Sequence, residues 1–220
     1  MEVVEKTNIC AYIYCVLCSV VAEVFMIFGY NNNAWLVLYK SDSNKQFQRG
    51  LNDDCFKADA IRCLPWSSRS NNSSGFPEPF SIVSPPNAVM YLALHLARFL
   101  LIGVFSWILM CIICCCNLTA EQFAKKHRRS LMQFCSLVAL SFVILSIFIL
   151  IAYYTDRIIM PLPPSYQRIF GSGFWLFIAG GTGFYLLSVF LLYKQEISAY
   201  LSKRQSHEPL ARHELDTMPS

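Results

Sequence analysis

Four long apolar blocks set the limits on what this chain can become. They run from about 9 to 30, 88 to 113, 131 to 154 and 169 to 193. Each is near or above the roughly 20 residues that an α-helix needs to cross about 30 Å of hydrocarbon. A soluble domain would spread its apolar residues at a strand or helix period instead of massing them. The composition agrees, with 55% hydrophobic and only 15% charged residues. The first block is too long for a signal-peptide core and lacks a small-residue cleavage site, so it reads as a retained signal-anchor. The expectation is a four-span membrane protein.

Orientation follows from three signals that agree. The linker at 114–130 carries Lys125, Lys126, Arg128 and Arg129 close to two spans, as cytosolic linkers do. Of ten cysteines, only Cys55 and Cys63 fall in a water-facing loop, and an isolated pair there reads as a disulfide in an oxidising compartment. The same loop holds overlapping acceptor sequons at Asn71 and Asn72. A third sequon at Asn117 then falls on the cytosolic side and stays unmodified. The expected order is a cytosolic N-terminus (1–8), span one, an extracellular loop at 31–87 and span two. The basic linker, span three, a short outer loop at 155–168, span four and a mostly disordered cytosolic tail at 194–220 follow. Both termini are cytosolic and the plasma membrane is the expected location.

The long loop predicts a small antiparallel sheet. Trp35 to Tyr39 is dense in strand-favouring residues, and Phe80 to Val83 reads as a short closing strand before Pro85 and Pro86. The second outer loop is short, holds three prolines and predicts a tight turn with no domain of its own.

A large first loop, a small second loop and one cysteine pair in the first resemble the claudin and peripheral-myelin-protein superfamily, which includes the calcium-channel gamma subunits. The residues that carry the likeness are Trp35, then Gly50-Leu51, then Cys55 and Cys63. The family pattern has a Trp after Gly-Leu where this chain has Asn52, and the second Cys comes slightly early. The resemblance therefore implies a divergent member, with Phe56, Trp66 or Trp35 taking the role of the missing ring. It also implies a left-handed four-helix transmembrane bundle, carrying a disulfide-bonded extracellular β-sheet built from the first loop.

Few residues inside the spans are chemically distinctive. Glu23, His95 and Arg98 lie about 10 to 15 Å deep, counting the rise per residue, and an antiparallel pair of helices would bring Glu23 within reach of either base. A structural pair locking two spans is preferred over an ion pathway, because no acid–base chain continues through spans three and four. Cys114, Cys115 and Cys116 at the inner end of span two suit palmitoylation or plain packing against lipid. Ala179 and Gly183 form a small-xxx-small face for close helix approach, by default within the bundle.

No catalytic constellation, metal-ligand spacing or phosphate-binding loop is visible, so neither an enzyme nor a cofactor is expected. The expected role is protein–protein interaction, foremost as an auxiliary subunit of a channel or receptor. A cell-contact or paracellular barrier protein is the alternative, and a pore or transporter a distant third. The expected partners are the bilayer and another membrane protein or a second copy, with no nucleic acid.

Overall fold

The computed structural model describes residues 2–68, 75–116, 118–163, 165–194, 197–198 and 201, with side chains described from 13 to 113 and from 137 onward within those ranges. Helix α1 spans Glu2–Asn31, α2 Ala88–Cys116 and α3 Leu118–Ile159. Helix α4 covers Ser172–Lys194 and contains a π-helical stretch at Leu176–Thr182. By length and composition, Ile13–Asn31, Ala88–Ile113, Leu137–Ile159 and Ser172–Lys194 can each cross a membrane. The chain is thus a multi-pass membrane protein. Lipid-facing helices of this kind satisfy all their backbone groups internally.

One antiparallel sheet caps one end of the bundle. Its strands are β1 Leu36–Tyr39, β2 Gln46–Arg49, β3 Asp53–Lys57, β4 Ile61–Pro65 and β5 Gln167–Phe170. They lie in the order β4-β3-β2-β1-β5. The first four form a meander, and the Cys55–Cys63 disulfide joins residues directly opposite each other across β3 and β4.

Two expectations need correction here. The sheet is not built from the first loop alone, because the loop between α3 and α4 supplies β5, paired along β1 from Leu36↔Phe170 to Tyr39↔Gln167. Without β5, β1 would expose an unpaired edge. The junction continues past the strand, where the Gly171 and Gly173 amides donate to the Trp35 and Ala34 carbonyls.

The segment at 80–83 is not a closing strand. Phe80–Ile82 is a 3₁₀ turn, flanked by prolines that lack the donors a ladder requires. Its Phe80 ring is fully buried against Phe47, Phe56 and Tyr166, so the segment serves as an aromatic plug beneath the sheet.

Helix α3 begins at Leu118, inside the basic linker, and continues through the third apolar block to Ile159. Arg168 holds its end by donating to the Arg157 and Ile158 carbonyls, a favourable place for a cation.

Helices α1 and α4 pack backbone to backbone. A Cβ on Gly29 would lie 2.6 Å from the Phe177 amide nitrogen and 2.9 Å from the Gly173 carbonyl oxygen. The α4 residues turned toward α1 include Gly173, Phe177, Gly181 and Ser188, while Tyr185 packs on Phe142 and Trp107. A four-residue step drifts around a regular helix; the wider π turn takes up that drift and keeps the row facing α1. Buried hydroxyls and a thiol complete the contact: Ser19 and Ser188 lie 2.6 Å apart and Cys15 Sγ is 3.1 Å from Ser188, while Ser146 of α3 meets Thr182 of α4 at 3.1 Å.

Candidate functional site

The five loop-motif residues converge where the sheet meets the bundle. Trp35 is fully buried, and its indole N–H donates to the Gly29 carbonyl at 2.7 Å, closing the turn between α1 and β1. Its ring packs on Tyr153 of α3 and on Phe174 and Phe177 of α4. Burying a ring of this size supplies one of the largest single hydrophobic contributions available to a small sheet. Gly50 closes a turn by donating to the Asp53 carbonyl, while its own carbonyl accepts from the Tyr153 hydroxyl at 2.5 Å. Leu51 is buried beside it.

Asn52, which stands where the family pattern has Trp, is exposed. Its carbonyl accepts the Trp66 backbone N–H at 2.9 Å. Trp66 is buried against Tyr91 of α2 and donates its indole N–H to Asp54 at 3.1 Å. An indole thus lies close to Asn52. Trp35 packs on α3 and α4 instead of α2, and Phe56 packs on Phe80.

Beneath these rings lies an ionic centre that sequence reasoning missed. Arg49 from β2 and Asp54 from β3 are fully buried, and Asp156 of α3 is almost so. The guanidinium forks onto Asp54 through Nε and Nη2 at 3.0 and 3.1 Å. It also reaches both oxygens of Asp156 through Nη1 at 3.0 Å and the Ser84 carbonyl through Nη2 at 2.6 Å. One planar cation thus ties together two strands, the approach to α2, and α3. Planar, multiply donating recognition of carboxylates is what guanidinium does and ammonium does not. Burial opposes charge on Arg49, but the Asp54 and Asp156 carboxylates outweigh it and hold its pKa above the ordinary value. In sequence Arg49 is one of six loop cations spaced among acids, with nothing to mark it. The weak signal available was Asp156, an acid close to the end of an apolar block.

The intramembrane residues do not pair as expected. Arg98 donates from Nε to the Tyr30 hydroxyl at 2.7 Å, its one hydrogen bond among the described residues. Its long stem carries the charge toward the sheet-bearing end and away from Glu23, as amphipathic side chains do in lipid. Glu23 makes no ion pair among the described residues, and its Oε2 is enclosed without a hydrogen-bond partner. His95 and Arg98 are both exposed on the outside of α2.

Ala179 and Gly183 also fall outside the bundle. Both are exposed, and a Cβ on Gly183 would meet nothing within 4 Å. The close approach falls to Gly180 and Gly181, opposite Phe25 and Met26 of α1. The sequons at Asn71 and Asn72 and the side chains of Cys114, Cys115 and Cys116 lie outside the described residues.

Neither the family models nor the curated proteins give a match to this chain.

Proposed function

We propose that this chain is a divergent claudin-like four-span protein of the plasma membrane that acts by protein–protein interaction, as an auxiliary or regulatory subunit of a channel or receptor. The observation that carries the reading is the rigid coupling of sheet to bundle. Arg49, Trp35 and β5 together tie the sheet to α1, α3 and α4. A lateral subunit needs this coupling, since a contact made at the sheet must reach the helices packed beside its partner. The polar groups buried between the helices support the same choice. They are small hydroxyls and thiols bonded to one another, a packing chemistry and not a conduction path.

One observation favours the cell-contact alternative. Ile61 on the edge strand β4 is 62% exposed, and an apolar residue at an open sheet edge suits docking by another protein's strand. Co-purification from native membrane in mild detergent, read by mass spectrometry, separates the two. Stoichiometric recovery of a channel or receptor is expected. Recovery of the chain alone, or of adhesion proteins crosslinked between cells, would sink the auxiliary reading.

With the sheet outside and both termini in the cytosol, the protein from mammalian cells should shift in mobility after endoglycosidase treatment. Replacing Asn71 and Asn72 together with Gln should abolish the shift, and Asn117→Gln should leave it intact. A shift that depends on Asn117 instead would invert the orientation.

A further inference from the structure

The outer rim of the α1–α2 groove carries an acid and a base that make no ion pair among the described residues, Glu23 and Arg98. On α1 the buried face is Cys15, Ser19, Ala22, Met26 and Gly29, all turned to the bundle. Phe25 lies on the flank toward α4, stacked on Phe184. Glu23 and Tyr30, two turns apart and so on one side of the helix, lie on the other flank. Tyr30 meets Arg98 of α2 there, so this flank faces α2. Glu23 is thus half-buried at the rim of the α1–α2 groove, with its Oε2 enclosed and unsatisfied, so a turn of the side chain outward to a cation would relieve it. Arg98 stands on the opposite rim, exposed, with a single hydrogen bond to a neutral phenol. Ile27 and Ile102 extend the two rims outward and are 45% and 66% exposed.

Ionisable groups at this depth are costly in hydrocarbon and are normally covered by protein. A partner helix bearing one acid would satisfy Arg98 and leave Glu23 as it is. A second copy satisfies both. A twofold axis along the membrane normal keeps every residue at its own depth, and an isologous interface pairs residue i with j and j with i. That operation works only if the two groups share a depth. Counted from Asn31 and Ala88, the sheet-side ends of their helices, the Cα atoms of Glu23 and Arg98 differ by about 3 Å, less than one helical turn, and the long Arg98 stem that now runs to Tyr30 spans that difference if it turns to a partner.

We infer that the rim of the α1–α2 groove is a twofold interface between two copies of this chain, in which Glu23 of each copy meets Arg98 of the other. The inference is independent of the auxiliary-subunit reading, because a dimer can dock on a channel or act without one.

The test uses the full chain in lipid vesicles at low protein density, with subunits counted by single-molecule photobleaching. The wild-type chain is expected to bleach in two steps. Glu23→Arg alone places cation against cation at both contacts, and Arg98→Glu alone places acid against acid, so each is expected to be monomeric. Mixed together they are expected to form dimers containing one of each, since both contacts are then attractive. Pairing within one chain predicts no such complementation, because each single variant keeps its own repulsion. If either reversed variant fails to fold, Glu23→Gln and Arg98→Gln carry the test, each expected to weaken dimerisation by about tenfold or more. Monomeric wild type, or folded single variants that do not complement, would overturn the interface.

Discussion

Arg49→Met should unfold the sheet from the bundle at a temperature lower by roughly 10 °C or more, corresponding to about 3–5 kcal/mol. Methionine fills much of the volume of the arginine stem but leaves the Asp54 and Asp156 carboxylates buried and facing each other across an empty cation site. Loss of one partner from a buried ionic cluster is far costlier than loss of all of them, since the desolvation of the remaining charges is no longer offset. Two further variants separate charge from packing. Arg49→Lys restores the charge but not the fork, and a single ammonium cannot meet Asp54, Asp156 and the Ser84 carbonyl together, so an intermediate loss is expected. Adding Asp156→Asn to Arg49→Met removes one stranded charge and should recover part of the loss. The measurement is thermal unfolding in detergent–lipid micelles, followed by size exclusion. If Arg49→Met melts with the wild type, the cluster does not hold the sheet.

That cluster also shows where sequence reasoning stops. The four spans were legible because each is a long apolar block, and block length is a local property. The Cys55–Cys63 bridge was legible because no other cysteines share its loop. Strand β1 was legible from its run of strand-forming residues. What could not be read depends on pairings distant in the chain. Arg49 meets Asp156 across 107 positions, and β5 is a strand only because β1 lies beside it. Gln167–Phe170 follows three prolines and by itself looks like the end of a turn. The intramembrane residues failed for a related reason. Helix spacing placed Glu23, His95 and Arg98 on the right two helices, but the direction a long side chain takes decides its partner, and Arg98 runs to Tyr30.

Small residues in α4 illustrate phase as a separate problem, and they yield the second large effect. Spacing alone favoured Ala179 and Gly183, yet the π-helical turn at Leu176–Thr182 directs Gly173 and Gly181 toward α1 and leaves Gly183 outside. Gly29→Ala is therefore expected to cost about 2–4 kcal/mol, a large amount for one methyl group. The added carbon would lie 2.6 Å from the Phe177 amide nitrogen and 2.8 Å from its Cβ. Backbone on α4 cannot swing aside as a flexible side chain would, so the two helices must separate. Separation would also pull the Gly29 carbonyl from the Trp35 indole and loosen the ring from Phe174 and Phe177. The effect should thus reach the sheet as well as the bundle, and near-ultraviolet dichroism from the buried indoles is expected to weaken along with thermal stability. Gly183→Ala is the matched control. It has open space and a helical backbone, so it should be neutral or gain about 0.5–1 kcal/mol from the lower flexibility of alanine. A Gly29→Ala protein as stable as the control would mean that α1 and α4 do not approach at this point. The π turn would then have no packing role to explain it.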